Sequence, residues 1–314
     1  MGRALNDWRM NRMGKIDIYQ EVTDRIIAEL EQGIIPWKKP WTGTRDGAIS
    51  HTTGKPYSLL NQLLLGKPGE YITFNQARKE GGSVKKGAKS KMVVFWKFLY
   101  CERKDASGAT VMGDDGKPSL KRVPILRYYN VFHIDDCENI KPRIKAAELN
   151  GNIKPIENAE QTFRGYLNRE KIRLEQDKSD RAYYSPSGDY IHLPIIEQFE
   201  QIAEYYSTAF HEAVHSTGHE TRLNRIAAGA VHFGDEEYSK EELVAEIGAA
   251  AILHEMGIET PSSFRNSAAY IQSWIKALQN DKKMIVSAAG KSEKAVDLIF
   301  GRGAEQEESM EEAA

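Results

Sequence analysis

The chain has 314 residues, 40% of them hydrophobic and 28% charged, which is enough for one large or two medium-sized cores. No stretch approaches the roughly eighteen consecutive apolar residues of a membrane span, and the N-terminus lacks the apolar segment of a secretion signal. We therefore expect a cytoplasmic protein with no membrane partner. Its 2 cysteines, Cys101 and Cys137, form no C-x-x-C pair, so a thiolate zinc site and a disulfide framework are both disfavoured.

Charge is distributed unevenly along the chain. Residues 1–140 carry 23 Lys/Arg and 16 Asp/Glu, whereas residues 141–314 carry 20 and 29. Within the basic half, residues 71–100 contain seven Lys/Arg and the single acid Glu80. Such a density suits a polyphosphate such as nucleic acid, although a solvated lysine face has the same composition.

The pattern of elements predicts an α+β protein of two domains. We place an N-terminal α+β domain at residues 1–140 and a linker at 141–158, where the composition changes and Pro breaks occur. A mainly helical domain with a small sheet follows at 159–302. The acidic residues 303–314 lack aromatics and are predicted to be disordered.

In the first half, Ile18, Val22, Ile26 and Leu30 form a helical stripe, and Gly33 is a natural stop after it. The segments "YSLLNQLLLG" and "YITFNQARKEGG" are typical of brief helices. Two segments rich in β-branched and aromatic residues, "KMVVFWKFLY" and "PILRYYNVFHI", flank a polar stretch. They predict two strands joined by an extended loop.

In the second half, "AEQTFRGYLNREK" predicts a helix, and "AYYSPSGDYIHLP" predicts two short strands around a Ser-Pro-Ser-Gly turn. Long helices follow. We expect the strand in "SGDYIHLP", just before the first of them, to offer a free edge to an extended peptide.

A metal-binding pattern occurs in "STAFHEAVHSTGHETRL", residues 207–223. His211 and His215 lie four residues apart, so on a helix both imidazoles reach one ion. Glu212 is then placed beside the ion, where it can act as general base toward a water; we predict it as the catalytic residue. The alternative is an ordinary histidine pair in a helix interface.

Such an ion needs a third protein ligand. His219 lies about 12 Å along the helix axis from His211, which makes it a minor option. Ser239 and Glu242 have the S-x-x-E spacing of a capping box, which predicts a structural role for Glu242 at the helix start. Glu246 lies in an apolar run, where an unpaired carboxylate is costly, so we choose Glu246 over Glu242, with water in the fourth position. The cofactor is predicted to be one divalent ion, zinc, for which manganese or nickel can substitute.

The basic half also interleaves aromatic residues with lysines, a combination suited to single-stranded nucleic acid. Most of the aromatic rings must be core, and we favour the Pro-bounded loop "IPWKKPW" as an exposed contact. The predicted DNA-binding residues are Trp37, Lys38, Lys39, Trp41, Lys79, Lys85, Lys86, Lys89 and Lys91.

Three segments of the second half, "AYYSPSGDYIHLP", "YYSTAFHEAVHSTGHETRLNR" and "YSKEELVAEIGAAAIL", resemble the zincin-like domain of ArdC-type antirestriction proteins. The first half, with "PWKKPW", "YSLLNQLLL", "YITFNQARKEGGSVKKGAK", "VVFWK" and "YYNVFHI", is similar to that family's single-stranded DNA-binding domain, found also in TraC-type primases. The family usually has a tryptophan before the Thr-x-x-Gln stretch and Asn in place of His133, so the DNA contacts are not transferred directly.

The resemblance implies a protein of mobile elements that coats entering single-stranded DNA and protects it from host restriction endonucleases. It also implies a zincin-like domain that acts on, or contacts, a nearby protein such as the endonuclease. Two other hypotheses remain: a DNA-associated metalloprotease that cleaves DNA-bound proteins, and a DNA-binding module with a purely structural ion.

Overall fold

The computed structural model describes residues 16–38, 47–113, 115–143, 155–226, 236–258 and 268–302. It is an α+β protein with an N-terminal part that carries most of the strands and a mainly helical C-terminal part with a small sheet. None of the helices in these ranges is long and apolar enough to cross a membrane.

The chain enters the described region through helix α1, Ile18–Glu31. The Asp17 side chain caps its first turn, and Gly33 takes the left-handed conformation with φ of 75°. Of the apolar stripe predicted from the sequence, Val22, Ile26 and Leu30 are buried and Ile18 is half-buried. The predicted helix and its glycine stop are therefore confirmed.

Two short helices and a four-stranded sheet complete the N-terminal part. Helix α2 is Leu59–Leu65, and helix α3, Phe74–Lys79, begins at a capping box formed by Thr73 and Gln76. The sheet has the order β1-β2-β5-β4, with the strands Ala48–Ser50, Gly69–Ile72, Lys91–Glu102 (β4) and Leu120–His133 (β5). The strands β3, Ser83–Val84, and β6, Cys137–Glu138, pair separately.

The predicted pair of long strands is the β4–β5 hairpin. Its antiparallel register runs from Lys91 opposite Val131 to Glu102 opposite Leu120. Only the rungs near the body are covered by other elements: Met92, Val93 and Val94 of β4 and Leu126 of β5 are buried, whereas β4 is half-buried or exposed from residue 95 onward. The far end of the hairpin thus projects from the body of the protein.

The C-terminal part begins with helix α4, Pro155–Glu170, so the last four residues of the predicted linker are helical. The other elements are β7 (Arg173–Asp177), β8 (Tyr183–Ser185), β9 (Tyr190–Pro194), α5 (Ile202–Ser216), α6 (Glu236–Glu255), α7 (Ala268–Asn280) and α8 (Met284–Phe300). The predicted tail, residues 303–314, lies outside the described residues.

The small sheet corrects one expectation. Its order is β7-β9-β8, with β9 parallel to β7 and antiparallel to β8. Strand β9, which carries "YIHLP", is therefore central and has no free edge, and β8 is the edge strand on its antiparallel side. The sequence pattern missed β7 because "RLEQD" is mostly charged and polar and lacks the β-branched residues that mark a strand.

The two parts share one continuous hydrophobic core. Helix α1 packs on α7 and α8, and its Thr23 hydroxyl donates a hydrogen bond of 2.8 Å to the Lys282 carbonyl. Trp37, in a short 3-10 turn after α1, stands edge-on against Trp274 of α7, with ring centroids 5.2 Å apart. Helix α1 thus packs against the helices of the C-terminal part as well as against the N-terminal part.

Candidate metal centre

The histidine helix α5 places its motif in the interior of the protein. His211 is 4% exposed, Glu212 is 5% exposed and His215 is 9% exposed. Helix α6 packs along α5 because Gly248 permits close approach: a Cβ atom there would lie 2.9 Å from a methyl group of Val214. The two helices thus pack closely at that glycine.

Three ligand-type side chains converge where α5 meets α6. The Nε2 atoms of His211 and His215 are 3.1 Å apart. The Glu242 carboxylate lies 3.5 Å from the first and 3.3 Å from the second. Four ligands placed tetrahedrally about 2.1 Å from one ion would be about 3.4 Å from one another. The observed distances therefore fit one small ion with three protein ligands.

The structure corrects our choice of third ligand. Glu242, not Glu246, joins the histidines in the only group of three or more potential ligands that the described residues form. Helix α6 begins at Glu236, ahead of Ser239, so Glu242 is not at a helix start and the expected capping box does not form there. Glu246 lies one turn further along α6 and is buried, while His219 contacts Thr221 instead.

A second carboxylate holds the outer nitrogen of His215. Glu241 lies 3.5 Å from Nδ1 of His215, and it is itself bound by Arg225 at 2.7 and 3.2 Å. Arg225 also donates hydrogen bonds to the Thr217 hydroxyl and the Val214 carbonyl. This arrangement fixes the ring so that Nε2 faces the ion site. The roles of Glu241 and Arg225 could not be predicted from the sequence, because contacts between a loop and a helix are not encoded in local spacing.

The electrostatics of the cluster favour a cation. Burial lowers the pKa of His215, but hydrogen bonds to Glu241 and Glu242 outweigh it and raise the pKa to about 10. Burial raises the pKa of Glu242, while its bonds to the two histidines hold the pKa well below the usual range. A divalent ion can take the place of the proton that this set of groups attracts.

The segment after α5 is braced by a buried ion pair. Arg222 contacts the Asp189 carboxylate at 2.5 and 3.1 Å, and Tyr184 donates to the same carboxylate at 2.8 Å. Arg222 also donates to the carbonyl of Ser216, the last residue of α5. These contacts tie the end of the histidine helix to the turn between β8 and β9. The Tyr184 hydroxyl is therefore engaged in a structural network.

Glu212 occupies a different position from the three converging ligands. Its buried carboxylate acts on His215 through space, and it makes no hydrogen bond or ion pair with another residue in the described ranges. Burying a carboxylate without partners is costly, so a charged or protic group beside the histidines is the natural complement.

The predicted DNA-binding residues differ in their exposure. Trp37 is only 3% exposed, so the prediction that its loop presents it to solvent is wrong. Lys39 and Trp41 lie outside the described residues, as does the Lys38 side chain. The remaining predicted residues, exposed around α3 and the turn before β4, are Lys79, Lys85, Lys86, Lys89 and Lys91.

Comparison with known proteins identifies the family. The model of the N-terminal domain of anti-restriction factor ArdC matches residues 16–132, and a zincin-like metallopeptidase model matches residues 160–291. The crystal structure of the metal-free antirestriction ArdC protein from plasmid R388 is 36% identical and covers 90% of this chain and 97% of its own, with a TM-score of 0.68. The chain belongs to the ArdC family.

The Mn(II)-bound crystal structure of ArdC from R388 matches over 93% of this chain and all of its own, with a TM-score of 0.69 and 33% identity. The manganese form of this relative and the match to a zincin-like model both indicate a divalent metal. The donor set of this ArdC-type protein, two imidazoles and a carboxylate, fits such an ion.

Two further relatives differ in length. The DNA primase TraC of Escherichia coli is 34% identical over 320 residues, covering 95% of this chain but 29% of the primase. The uncharacterized protein y4eC of Sinorhizobium fredii is 29% identical over 299 residues and covers 91% of this chain and 92% of its own. The ArdC-type chain thus spans less than a third of that primase.

Proposed function

We propose that this ArdC-type protein binds single-stranded DNA in the cytoplasm and protects incoming mobile-element DNA from host restriction endonucleases. The observation that carries the proposal is the match to ArdC from plasmid R388 over 97% of that chain, which includes both parts of the molecule. The net positive charge of residues 1–140 supports a polyanion as the ligand of the N-terminal part.

In the C-terminal part, we propose that His211, His215 and Glu242 hold one divalent ion and that Glu241 and Arg225 orient His215. Two imidazoles and one carboxylate suit zinc, and manganese is the ion named for the R388 relative. When bound, the ion acts as a Lewis acid and polarises the group that is bound to it. The three ligands on the described residues leave one position open, which argues against a closed structural site.

A second candidate activity, proteolysis of a DNA-bound protein such as the endonuclease, is favoured by Glu212. A buried carboxylate without a hydrogen-bond partner in the described structure is suited to accept a proton from a water that attacks a peptide carbonyl. Neither the ion ligands nor the helix packing requires that carboxylate. Glu212→Gln keeps the shape of the side chain and removes the base.

The experiment compares transfer of unmodified plasmid DNA into a restricting host that carries the wild-type protein, Glu212→Gln or His211→Ala. We expect the wild type to raise survival of the entering DNA. Protection that persists in Glu212→Gln assigns the function to binding, and protection lost in Glu212→Gln but not in the control Glu220→Gln assigns it to hydrolysis. No protection by the wild type in a host with a restriction system would contradict the proposal.

A further inference from the structure

The projecting end of the β4–β5 hairpin contributes a single buried side chain, Leu126, to the core. We call residues 96–102 and 120–126 the ribbon. The described residues that connect its two strands, 103–113 and 115–119, form turns and isolated bridges, and no third strand among the described residues pairs with the ribbon. A two-stranded ribbon that stands free in water gains little stability from packing. Its side chains are therefore available for contact with another molecule.

One face of the ribbon is aromatic. Because side chains alternate along a strand, Trp96, Phe98 and Tyr100 point to the same side. Trp96 is 44% exposed and Tyr100 is 67% exposed. Tyr128, just below the ribbon on the same face of β5, is 38% exposed. Residues spaced by two along a strand stand about 6.7 Å apart, so these rings form a row rather than a cluster.

An arginine belongs to the same face. Arg122 stands opposite Tyr100, and its guanidinium lies 3.3 Å from the ring centroid of Phe98. This contact covers the Phe98 ring and presents the flat guanidinium beside the exposed rings of Trp96 and Tyr100. Arginine and aromatic faces are the groups on which unstacked bases lie.

The opposite face of the hairpin carries basic side chains among apolar ones such as Leu99 and Ile125. Lys97, Lys121 and Arg127 point to this side, and no ion pair in the described structure neutralises any of them. The one acid in the two paired segments, residues 91–102 and 120–131, is Glu102, which already bridges Lys104 at 3.2 Å. The hairpin is therefore a cationic arm with an aromatic surface.

Positive charge continues from the hairpin into the protein body. At its base, Lys67, Lys89 and Lys91 line a cleft of about 250 Å³ together with Leu65, Gly66, Tyr71, His133 and the acids Glu29 and Asp136. Lys67 is bridged to Asp135, whereas Lys89 and Lys91 form no ion pair with another described residue. A flexible polyanion that contacts the ribbon can thus extend along Lys91 toward the body.

We propose that single-stranded DNA binds along the ribbon, with bases stacked on Trp96, Tyr100 and Tyr128 and with Arg122, Lys97 and Arg127 supplying positive charge. The inference rests on the proposed function, because it names the surface that performs the DNA binding. Charge complementarity selects this occupant: the arm is rich in unpaired cations and aromatic rings and poor in acids. Duplex DNA hides its base faces and cannot stack on the rings.

The test measures binding of the full-length protein to a fluorescent oligodeoxythymidine and to a duplex of equal length. We expect Trp96→Ala and Tyr100→Ala each to weaken single-strand binding roughly five- to hundredfold, and Trp96→Phe to restore part of the loss. The matched control is Leu99→Ala, which removes a 37% exposed side chain from the other face of the same strand. It should change the affinity less than about twofold.

A charge variant separates the two faces. Lys97→Ala combined with Arg127→Ala should flatten the salt dependence of log K by about 0.7 per charge removed. In contrast, Trp96→Ala should lower the affinity and keep that slope. Ultraviolet crosslinking to an oligonucleotide containing 5-iododeoxyuridine, followed by peptide mapping, should place crosslinks in residues 91–102 and 120–131.

The outcomes distinguish failure of the proposed function from failure of the ribbon assignment. A wild-type protein that binds single-stranded DNA no better than duplex contradicts the proposed function itself. Tight wild-type binding that is unchanged in Trp96→Ala and Tyr100→Ala, with crosslinks elsewhere, overturns the ribbon assignment and leaves the proposed function standing. Ribbon variants that alter self-association instead of DNA affinity would show that the ribbon is a protein contact, which also overturns the assignment.

Discussion

At the scale of single residues, the first prediction concerns which carboxylate is the third metal ligand. Glu242 lies within 3.5 Å of both histidine Nε2 atoms, whereas Glu246 is not a member of the cluster. We expect Glu242→Ala to lower the metal content of the purified protein from one ion per chain to nearly none. Elemental analysis after dialysis checks this. Glu246→Ala is the matched control, and loss of the ion in Glu246→Ala with retention in Glu242→Ala would contradict the site.

The support of His215 gives a second prediction at this scale. Arg225 holds Glu241, and Glu241 faces Nδ1 of His215. Loss of such an outer contact typically lowers metal affinity about 10- to 100-fold. We expect Arg225→Met to weaken metal binding to that extent, as measured by competition with a chromogenic chelator. Arg164→Met, which removes an exposed ion pair from α4, is the control and should leave the affinity unchanged.

At the scale of elements, the contact between α5 and α6 depends on Gly248. Alanine at an ordinary helix position stabilises by up to about 1 kcal/mol relative to glycine, but here its Cβ would lie 2.9 Å from the buried Val214 side chain. We expect Gly248→Ala to reduce the free energy of unfolding by about 1–3 kcal/mol, the usual cost of overpacking. Urea denaturation measures the change.

A second helical glycine offers the control for that experiment. A Cβ at Gly165 in α4 would meet nothing within 4 Å, so Gly165→Ala should be neutral or stabilising. Adding Val214→Ala to Gly248→Ala should recover part of the loss, because it removes the methyl groups that clash. A Gly248→Ala protein as stable as the wild type would show that α5 and α6 are not held at this distance.

At the scale of the whole molecule, the shared core makes the two parts dependent on each other. A cut after residue 143 removes α7 and α8, on which α1 packs, and it leaves Trp37 without Trp274. We expect a fragment of residues 1–143 to lack a cooperative thermal transition, as followed by circular dichroism. The full chain should unfold in one transition. A fragment that melts cooperatively and shows dispersed amide resonances would contradict the shared core.

The shared core also predicts that a single substitution, Trp37→Ala, strongly lowers the stability of the protein. Trp37→Ala removes a buried ring at the junction of the two parts, and such truncations cost about 3–5 kcal/mol. We expect a clear fall in Tm, measured by scanning calorimetry. Because Trp37 is buried and is not a residue of the ribbon, the affinity for single-stranded DNA should be unchanged at temperatures where the variant is folded. A drop in DNA affinity with an unchanged Tm would instead place Trp37 at the DNA interface.

The sequence by itself determined the features that depend on neighbours along the chain. Helix α1 and its stop at Gly33, the two long strands and the histidine helix follow from periodicity and turn chemistry, which act over a few residues. The pairing of His211 with His215 also follows, since residues four apart share a helix face. The uneven charge is a property of composition alone.

Tertiary structure decided what depends on contacts distant in sequence. Glu242 and Glu246 both lie on the same helix, one turn apart, so only the position of α6 against α5 selects between them. Trp37 looked exposed beside two lysines, but its partner is Trp274, far along the chain. Strand β9 looked like an edge because pairing with the charged β7 leaves no signal in its own residues. Burial and pairing are set by packing, and local spacing does not encode which surfaces meet.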